Sequence, residues 1–586
     1  MKKLTIFFLA ACLAAAVFAV SAFAAGVVFV DSTVAAAGDG TSPASPLKTF
    51  ASAVQAVKTG GGTIVLCGDT EIPSGGIEVA ASTGTITVTS VYDEVDYDAD
   101  LVMNGRLVLT GVYVFENINI HNNSASAPME IYARGYTLTI EDTVTCTSAG
   151  TGIIYPVIYG GKRMGVQSTN THVIVRGGTW RSIFGGNYSK AFNANSVIDF
   201  TGGTVLFAVV GGNYIDNFTG NTTVNVGGDA VIEFNLDGEI PGGIMGTSMG
   251  NGTAYTFTGN ASINIGGNAK VYSNVFGSSR RNNMNVSGDI TIDIFGNAEI
   301  YRHVFGGGYF GNVTTGTGGI TVTMRQNAQV LIDTLSPLYV GAGPQQGTVT
   351  GNVKTVIRDN VYIEGSVYGA GFNGTVAGNS AVEIYGGRVD VNFNAGTVAG
   401  TVSGSKSVTI HGGSIGGTIR DNATVDLAVG ATAEVGAHTG SVTTVAPEGY
   451  EILIDDSGDT ILYSVAPVGA GVEVAVAGTD AFIDGTGNGN VRIITAATVE
   501  PGKSVTGYGT YFIPMAVFMG DGEALTRAVR IYTDGALADG ESFSADLMNI
   551  PAEFAGETVI AIAFCIVGGE EVATSQYTFS VNGLIG

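Results

Sequence analysis

The chain is dominated by short runs in which apolar and polar residues alternate, each run leading to glycine. Val224-Asn225-Val226 and Ile263-Asn264-Ile265 show the alternation most clearly. A period of two is the pattern of a β-strand with one buried face. Such runs end in paired glycines at positions 177–178, 227–228, 266–267, 386–387 and 412–413. No helical period interrupts them, so the pattern predicts an all-β fold of many short strands.

A second marker recurs between these runs and consists of a branched residue, an apolar or aromatic residue and a glycine. The marker glycines are Gly160, Gly185, Gly211, Gly246, Gly277, Gly306, Gly341 and Gly369, spaced 25 to 35 residues apart. The intervening segments are too short and too rich in Gly, Asn and Thr for helical crossovers. A parallel β-helix, with one coil per repeat and glycines at corners of positive φ, is the economical solution. A β-propeller is the rival repeat fold, and irregular spacing and paired glycines favour the β-helix.

The N-terminal end of the repeat region carries a helix signal. Ser45 as N-cap and Pro46 at the first helical position predict a short helix before the glycines at 60–62. Its apolar stripe consists of Leu47, Phe50, Ala51, Val54 and Val57. This stripe predicts a capping helix over the first coil, because the open ends of a repeat stack need cover.

The sequence changes character near Pro467. Residues 450–463 predict a β-hairpin around 455–459. Beyond it the glycine markers vanish, and longer apolar strands appear at 528–532 and 559–565, with Asp-Gly turns at 521–522, 534–535 and 539–540. These features predict a right-handed parallel β-helix over residues 25–466 and a small C-terminal β-sandwich-like domain over 467–586.

The segment from Asp39 to Leu66 resembles a known fold family. Asp39-Gly40-Thr41-Ser42, Lys48-Thr49-Phe50 and Gly61-Gly62-Thr63-Ile64-Val65-Leu66 look like the N-terminal segment of right-handed parallel β-helix proteins of the pectate-lyase-like superfamily. The later repeats resemble those of large secreted β-helix proteins of anaerobic, often gut-dwelling, Gram-positive bacteria. The resemblance implies architecture only, because that superfamily mixes lyases, hydrolases, tailspikes and non-catalytic surface proteins.

The first 24 residues have the features of a secretory signal peptide. Lys2 and Lys3 precede an apolar run, and Ala22-Phe23-Ala24 supplies a small-x-small cleavage pattern. A lipoprotein box at 9–12 is the alternative, and the apolar run that continues for another dozen residues disfavours it. No later stretch of 18 apolar residues exists, so no membrane span is predicted in the mature chain. The predicted location is extracellular, either secreted or cell-surface associated.

The composition and net charge of the chain limit the classes of partner that it can bind. The chain has 89 glycines in 586 residues and only 13% charged residues, against averages of about 7% and 25%. Its net charge of -25 repels nucleic acid and anionic lipid, which excludes both as partners. Besides Cys12 of the predicted signal peptide, the thiols are Cys67, Cys146 and Cys565. They lie far apart, with no metal-site or disulfide spacing, and are predicted to be small buried hydrophobes.

The resemblance implies what an enzyme would need. Pectate lyases of this fold use an Arg or Lys base beside carboxylates that hold Ca²⁺, and the related hydrolases carry Asn-Thr-Asp, Asp-Asp and Gly-His-Gly in order. The chain has no Asn-Thr-Asp or Gly-His-Gly, and Asp455-Asp456 falls in the predicted hairpin turn. A dense acidic run is interpreted as a solvated strand face, with a weak cation site as the alternative, and comprises Asp93, Glu94, Asp96, Asp98 and Asp100. No catalytic residue, metal site or cofactor is predicted.

A column of residues carries the binding hypothesis. Three positions after the marker glycines from Gly185 to Gly369 stand Tyr188, Tyr214, Met249, Arg280, Tyr309, Pro344 and Phe372. Stacked coils would align them about 4.8 Å apart along one edge. Internal packing and exposed polysaccharide binding are the two interpretations of the aromatic members. Arg280-Arg281 and Arg302-His303 form a basic locality, either neutralised by nearby acids or gripping an anionic glycan.

The function predicted from these features is a non-catalytic, adhesin-like surface or secreted protein that binds an extracellular polysaccharide, host glycan or host matrix. The predicted binding residues are Tyr188, Tyr214, Arg280, Tyr309 and Phe372. A polysaccharide lyase or glycoside hydrolase is the alternative from another class, and a purely structural stalk is the third.

Overall fold

The computed structural model describes residues 26–585 except 238–239, 281–283, 334–336, 468–471, 500–503, 516–527 and 568–569. The predicted signal peptide, the predicted turn at Asp521-Gly522 and the predicted basic residue Arg281 lie outside the described residues. The chain divides into two compact units, residues 1–156 and residues 157–586. Both units consist mainly of short strands.

Unit 1 contains three sets of parallel strands and one small hairpin. The first set is Gly26–Val30, Gly62–Leu66, Ile86–Thr89, Tyr113–Phe115 and Thr137–Ile140. The second set is Thr70–Ile72, Asp100–Met103, Asn119–Asn122 and Thr145–Ser148. The third set is Ile77–Glu78, Leu107–Val108 and Glu130–Tyr132. The hairpin pairs Val91–Tyr92 with Val95–Asp96.

The N-terminal helix of unit 1 begins later than the sequence predicts. It spans Phe50–Val57, and its N-cap is Thr49, whose Oγ1 accepts a hydrogen bond from the Ser52 amide at 3.1 Å. The predicted start at Ser45 and Pro46 is wrong. The cause is Leu47, which forms a parallel β-bridge with Val30 and keeps the chain extended up to the N-cap.

The buried face of this helix agrees largely with the predicted stripe. Phe50, Val54 and Val57 are buried, as predicted. Ala51 is exposed, and Ala53 takes its place on the buried face. The helix packs on the strands Gly26–Val30 and Gly62–Leu66, so its apolar face covers the beginning of the first strand set.

Unit 2 contains three long parallel sheets, here called sheets I, II and III. Sheet I is Thr171–Val175, Ser196–Phe200, Thr222–Val226, Ala261–Ile265, Ile290–Ile294, Ile320–Met324, Val353–Ile357, Ser380–Ile384, Lys406–Ile410, Ala423–Asp426 and Val442–Val445. Sheet III is Phe192–Asn193, Phe218–Thr219, Tyr255–Thr258, Met284–Ser287, Asn312–Thr314, Thr348–Val349, Thr375–Val376 and Thr401–Val402.

Sheet II lies between the other two along each repeat and has two short strands in most repeats. Its strands are Val157–Tyr159, Thr179–Phe184, Thr204–Val210, Val231–Ile232, Gly243–Met245, Lys270–Val271, Asn274–Phe276, Glu299–Ile300, Val304–Phe305, Gln329–Val330, Tyr339–Gly341, Tyr362–Ile363, Ser366–Tyr368, Arg388–Val389, Phe393–Asn394, Gly413–Ile419 and Thr432–His438. Sheets I to III together are called the ladder. In most repeats the chain adds strands to sheets I, II and III in that order, which is consistent with a parallel β-helix.

The register of sheet II confirms that matching repeat positions are neighbours in space. The branched residues of the glycine marker pair in one continuous row, which runs Ile158, Ile183, Val209, Ile244, Val275, Val304, Val340 and Val367. Most strands of sheet I contribute residues to the interior at every second position, as in the strand Thr222–Val226, where Val224 and Val226 are buried and Asn225 is half-buried.

The two kinds of glycine marker solve different steric problems. The second residue of a glycine pair has the predicted positive φ, as in Gly228 with φ 55°. In two repeats the equivalent corners are held by Gln326 and Asp359 with φ 62° and 58°. The single marker glycines do not have positive φ, so that part of the prediction is wrong. A Cβ on Gly211 would lie 2.3 Å from the carbonyl oxygen of Gly246, and glycine is needed there for close backbone approach.

The C-terminal part of unit 2 is antiparallel. Tyr450–Asp455 pairs with Ile461–Pro467, which confirms the predicted hairpin, and the second of these strands also pairs with Thr432–His438. A three-stranded sheet follows, with strands Val472–Ile483, Gly489–Val499 and Ser542–Ile550. A four-stranded sheet contains Val529–Leu537, Val505–Pro514, Val559–Val567 and Glu570–Phe579, and a short helix spans Val581–Ile585.

These two sheets, here called the antiparallel module, share buried apolar clusters. Val474 and Phe543 of the three-stranded sheet pack with Ala563 and Cys565 of the four-stranded sheet. The opposite face of the four-stranded sheet includes Ile562, which packs with Val429 of the ladder region. The predicted turn at Asp534-Gly535 is wrong, because both residues lie inside Val529–Leu537, paired to the strand Val505–Pro514.

Among the described residues, none of the helices has the length and apolar character needed to cross a membrane.

Candidate functional site

The predicted column of residues lies along one edge of the ladder, at the corner that follows sheet II. Backbone hydrogen bonds join its members rung by rung. The Ile215 amide donates to the Tyr188 carbonyl at 3.1 Å, and the Gly250 amide donates to the Tyr214 carbonyl at 2.9 Å. The Asn373 amide donates to the Gln345 carbonyl at 2.8 Å, so Gln345 lies opposite Phe372, and the predicted column member Pro344 is one residue out of register. The structure therefore brings equivalent corner positions of successive repeats together.

Buried asparagines hold the corner from which the first two tyrosines project. Asn187 and Asn213 have no solvent exposure. The Asn187 amide donates to Asn213 Oδ1 at 2.7 Å, and the Asn213 amide donates to Ser248 Oγ at 3.0 Å. Each asparagine precedes its tyrosine in the chain, so these bonds fix the backbone that carries the ring. The repeated Gly-Gly-Asn-Tyr at 185–188 and 211–214 was the available sequence signal.

Tyr188 and Tyr214 form a stacked pair at this edge. Their ring centroids are 5.2 Å apart with an interplanar angle of 21°. Tyr159 packs edge-on against Tyr188, and Phe184 packs edge-on against Tyr214. Both tyrosines are half-buried, which leaves part of each ring in contact with solvent. The Arg163 guanidinium lies over the Tyr188 ring at 5.7 Å.

Tyr309 and Phe372 occupy the later part of the column. Tyr309 packs edge-on against Phe276 and Phe310, with ring centroids 5.8 Å and 4.4 Å away. Phe372 lies 5.0 Å from the Tyr339 ring. Both side chains are half-buried. All four aromatic members thus combine ring packing with partial exposure, so packing and binding are compatible at this edge.

Between these two groups the column is buried. Met249 and Arg280 are each 1% exposed. The Arg280 Nη1 donates to the Pro241 carbonyl at 3.0 Å, and its guanidinium lies 4.8 Å from the Phe207 ring centroid. In this arrangement the Arg280 guanidinium contacts protein groups. This differs from the prediction that an exposed Arg280 binds an anionic glycan.

Arg302 and His303, the other members of the basic locality, also face protein groups. The Arg302 guanidinium lies 3.3 Å from the Phe234 ring centroid. His303 Nδ1 accepts a hydrogen bond from the Tyr339 amide at 3.2 Å, and the two rings stack. Burial, with a smaller contribution from the Arg302 charge, lowers the pKa of His303 to about 4. His303 is therefore neutral near pH 7.

The acidic run of unit 1 forms a hairpin turn and its flank, where a continuous strand face was predicted. Asp93 and Glu94 have φ of 51° and 64° between the short strands Val91–Tyr92 and Val95–Asp96. The Asp98 amide donates to Asp96 Oδ1 at 2.9 Å, and the Asn119 side chain donates to Asp100 Oδ1. The period-two spacing was misleading because the turn residues adopt left-handed backbone conformations.

Two further acidic segments serve as turns. Asp455 Oδ1 accepts hydrogen bonds from the amide and the hydroxyl of Ser457, and these bonds lower its pKa. Asp484 accepts equivalent bonds from Thr486, which lower its pKa to about 2. Within the part of the chain that the structure describes, no three His, Cys, Asp or Glu side chains are grouped so that they could hold a metal ion.

Other predicted features lie in the interior. Trp180 has no exposure, and its Nε1 donates to the Gly177 carbonyl at 2.8 Å. Cys565 is fully buried, and burial raises the pKa of its thiol to about 12. Cys67 is half-buried, and burial together with the Asp31 charge raises its pKa.

Comparison of the chain with protein-family models, with curated proteins and with solved structures gives no match. The functional interpretation therefore depends on the geometry of the chain itself.

Proposed function

We propose that the protein is a non-catalytic, secreted or cell-surface β-helix protein that binds an extracellular glycan through the aromatic edge of its ladder. The observation that supports this proposal is the partial exposure of Tyr188 and Tyr214 at equivalent corners of two successive repeats, and of Tyr309 and Phe372 further along the same edge. Aromatic rings present an apolar surface against which the C–H faces of sugars pack, and such rings need not perform any chemistry.

The fold proposal is more specific than the parallel sheets themselves. In each unit the parallel strands belong to successive coils of a right-handed β-helix. Right-handed connections are the ones that the twist of β-strands favours between parallel strands. The helix Phe50–Val57 serves as the N-terminal cap, since its apolar face covers the first strands. The antiparallel module is a small β-sandwich, supported by the apolar clusters that its two sheets share.

Arg280 is not assigned a direct role in this proposal. Its side chain is buried and its guanidinium is engaged within the protein. It supports the middle of the aromatic edge, while the tyrosines and Phe372 provide the contact surface.

Glycan-array screening of the secreted protein tests the proposal, followed by titration of the strongest glycan found. The Tyr188→Ala/Tyr214→Ala variant should bind that glycan at least about tenfold more weakly, because it removes both half-buried rings of the stacked pair. A Tyr309→Ala/Phe372→Ala variant should also weaken binding.

A matched control is available in the same ladder. Tyr272 and Tyr301 are stacked at 4.6 Å and half-buried, but they lie outside the column. Their double alanine variant removes the same chemical groups and should bind glycan normally. Unchanged binding by the column variants, or equal loss in the control, would contradict the proposal. Cleavage of the bound glycan would favour the lyase or hydrolase alternative, and absence of any glycan binding would favour the stalk.

A further inference from the structure

A small polar pocket lies near the C-terminal end of the ladder, outside the aromatic column. It has a volume of about 190 Å³, below the range of about 300–1,000 Å³ that is usual for drug-sized ligands. Its lining comprises Tyr368, Asn394, Lys406, Arg420 and Asp421, together with backbone and small side chains of 396–402. The size restricts an occupant to a compact group.

Asn394 is unusual for its position in the ladder. It pairs with Tyr368 in sheet II, at the end of the row whose members each directly follow a member of the branched row. The earlier members of this row are apolar or aromatic, or lack a side chain, and run Tyr159, Phe184, Val210, Met245, Phe276, Phe305, Gly341 and Tyr368. A polar amide side chain such as that of Asn394 does not fit this apolar row, so packing alone does not explain its presence.

The orientation of the Asn394 amide is fixed by one hydrogen bond. Its Oδ1 accepts from the Arg420 backbone amide at 2.7 Å, which assigns Nδ2 to the other side of the group. Asn394 is 2% exposed, and among the described residues no hydrogen-bond partner is found for its Nδ2. A buried donor without an acceptor costs about 1–3 kcal/mol, and an occupant that reaches the pocket floor would supply that acceptor.

The charged groups of the pocket favour an anion. The Asp421 side chain is 9% exposed; its Oδ2 accepts from the Gly396 amide at 2.8 Å and its Oδ1 pairs with Lys406 Nζ. Its charge is thereby compensated within the protein. Lys406 and Arg420 together outweigh this one carboxylate, so the pocket has a positive balance in a chain of net charge -25. Its side chains offer mainly N–H donors, which match the oxygens of a carboxylate, sulfate or phosphate.

We propose that the pocket formed by Tyr368, Asn394, Lys406, Arg420 and Asp421 binds a compact oxyanion, either free or carried on a small polar molecule such as a sugar. The Asn394 Nδ2 and the Arg420 guanidinium donate to the anion, Lys406 adds positive charge while holding Asp421 in place, and Tyr368 forms an apolar wall. The pocket adjoins the aromatic edge, because Val398 of its lining segment lies one rung beyond Phe372. It uses different side chains from the column, so oxyanion binding is tested separately from glycan binding.

Isothermal titration of the full chain with five probes tests the site. The probes are inorganic sulfate, inorganic phosphate, glucuronate, glucose 6-sulfate and glucose. At least one oxyanion should bind, and glucose should not. Tight binding of the sugar-linked anions alone identifies a carried oxyanion, and equal binding of sulfate or phosphate identifies the free ion as sufficient. Binding should weaken as salt rises, because the interaction is electrostatic.

Two variants locate the binding. Arg420→Gln should weaken it at least tenfold, and Asn394→Asp should abolish it, because the carboxylate keeps the acceptor for the Arg420 amide but replaces the buried donor. Arg388→Gln is the matched control, since Arg388 is an exposed ladder arginine outside the pocket. Thermal unfolding checks that each variant folds. Absence of binding by all four oxyanions, or binding that survives Arg420→Gln and equals that of the control, would overturn the proposal.

Discussion

Glycine and asparagine occur in both the ladder and the antiparallel module, but their surroundings in the two regions differ. In the ladder, strands are as short as two residues, and each corner lies directly against the corner of the next repeat. In the module, strands run for nine to twelve residues, and a Cβ added at Gly485, Gly487 or Gly540 in its described turns would have no neighbour within 4 Å. A glycine or asparagine in the ladder therefore meets a neighbouring backbone, whereas the same residue in a module turn meets open space.

The least replaceable positions of the ladder lie at corners where a glycine faces the backbone of the next repeat. Gly211 and Gly485 both lie in segments with further glycines, Gly212 beside the first and Gly487 and Gly489 after the second. A Cβ on Gly211 would lie 2.3 Å from the Gly246 carbonyl oxygen, and a Cβ on Gly485 would have no neighbour within 4 Å. Burial of backbone against backbone, and not glycine content, separates the two regions.

The largest effect is expected for Gly211→Ala. The clash with the Gly246 carbonyl forces neighbouring rungs apart and should lower the free energy of unfolding of the ladder by about 3 kcal/mol or more. Urea unfolding followed by the fluorescence of Trp180 measures it, because this single tryptophan is buried in sheet II. Gly485→Ala is the control and should change stability by less than about 0.5 kcal/mol. Equal stability of the two variants would refute the steric account of the marker glycines.

A smaller effect is expected for Asn213→Ala. The Asn213 side chain is fully buried, accepts from the Asn187 amide at 2.7 Å and donates to the Asn217 carbonyl at 3.0 Å. Its removal leaves buried backbone groups without partners and should cost about 2–3 kcal/mol. The same unfolding measurement applies.

Asn225→Ala is the matched control for this variant. Asn225 also bonds along the ladder, to Asp199 and Asn264, but it lies on the half-exposed face of sheet I. Water can replace its partners, so the cost should stay below about 1 kcal/mol. A loss as large for Asn225 as for Asn213 would show that the corner is not special.

The most gradual effect, at most about 3 kcal/mol and spread between pH 6.5 and 4, is expected from mild acid. The pKa of His303 is about 4 in the folded ladder, against an ordinary value near 6.5. The unfolded chain takes up a proton as pH falls below 6.5 and the folded chain does not, so stability present above pH 6.5 is lost as pH falls to 4. Burial shifts the pKa of His438 in the same direction.

The His303→Gln variant and the antiparallel module are the two controls for this acid effect. His303→Gln should flatten the dependence of ladder stability between pH 6.5 and 4. The antiparallel module contains no histidine, and the pKa of its Asp484 is about 2, so that carboxylate loses its stabilising bonds only below its ordinary pKa near 4. Midpoints of chemical unfolding at several pH values measure the effect, and an unchanged slope in His303→Gln would contradict it.

Repetition explains how much of the fold the sequence could reveal. The spacing of Ile183, Val209 and Val304 was sufficient to predict their common row, because equivalent positions in a repeat share one environment. The helix start was missed because the bridge between Leu47 and Val30 is a contact between distant residues. Exposure within the column could not be predicted either, since Arg280 and Tyr309 occupy the same repeat position and differ only in what packs over them.

The oxyanion pocket was invisible in the sequence for a related reason. Asn394, Lys406 and Arg420 come from different segments and match no motif. The only signal was local: an asparagine stands where the repeat otherwise places an apolar or aromatic residue before the corner. A residue that breaks the repeat pattern, as Asn394 does, thus indicates a candidate binding site better than a residue that follows the pattern.

The asparagines before sheet I have a consequence for how such a chain can change its length. The side-chain oxygens of Asn170, Asn195, Asn221 and Asn260 accept from the backbone amides at 195, 221, 260 and 289, one rung further on. Because donor and acceptor are the same at every joint, excision or duplication of one whole period recreates the joint that it interrupts. Gene rearrangement can therefore shorten or extend the array without inventing a new junction.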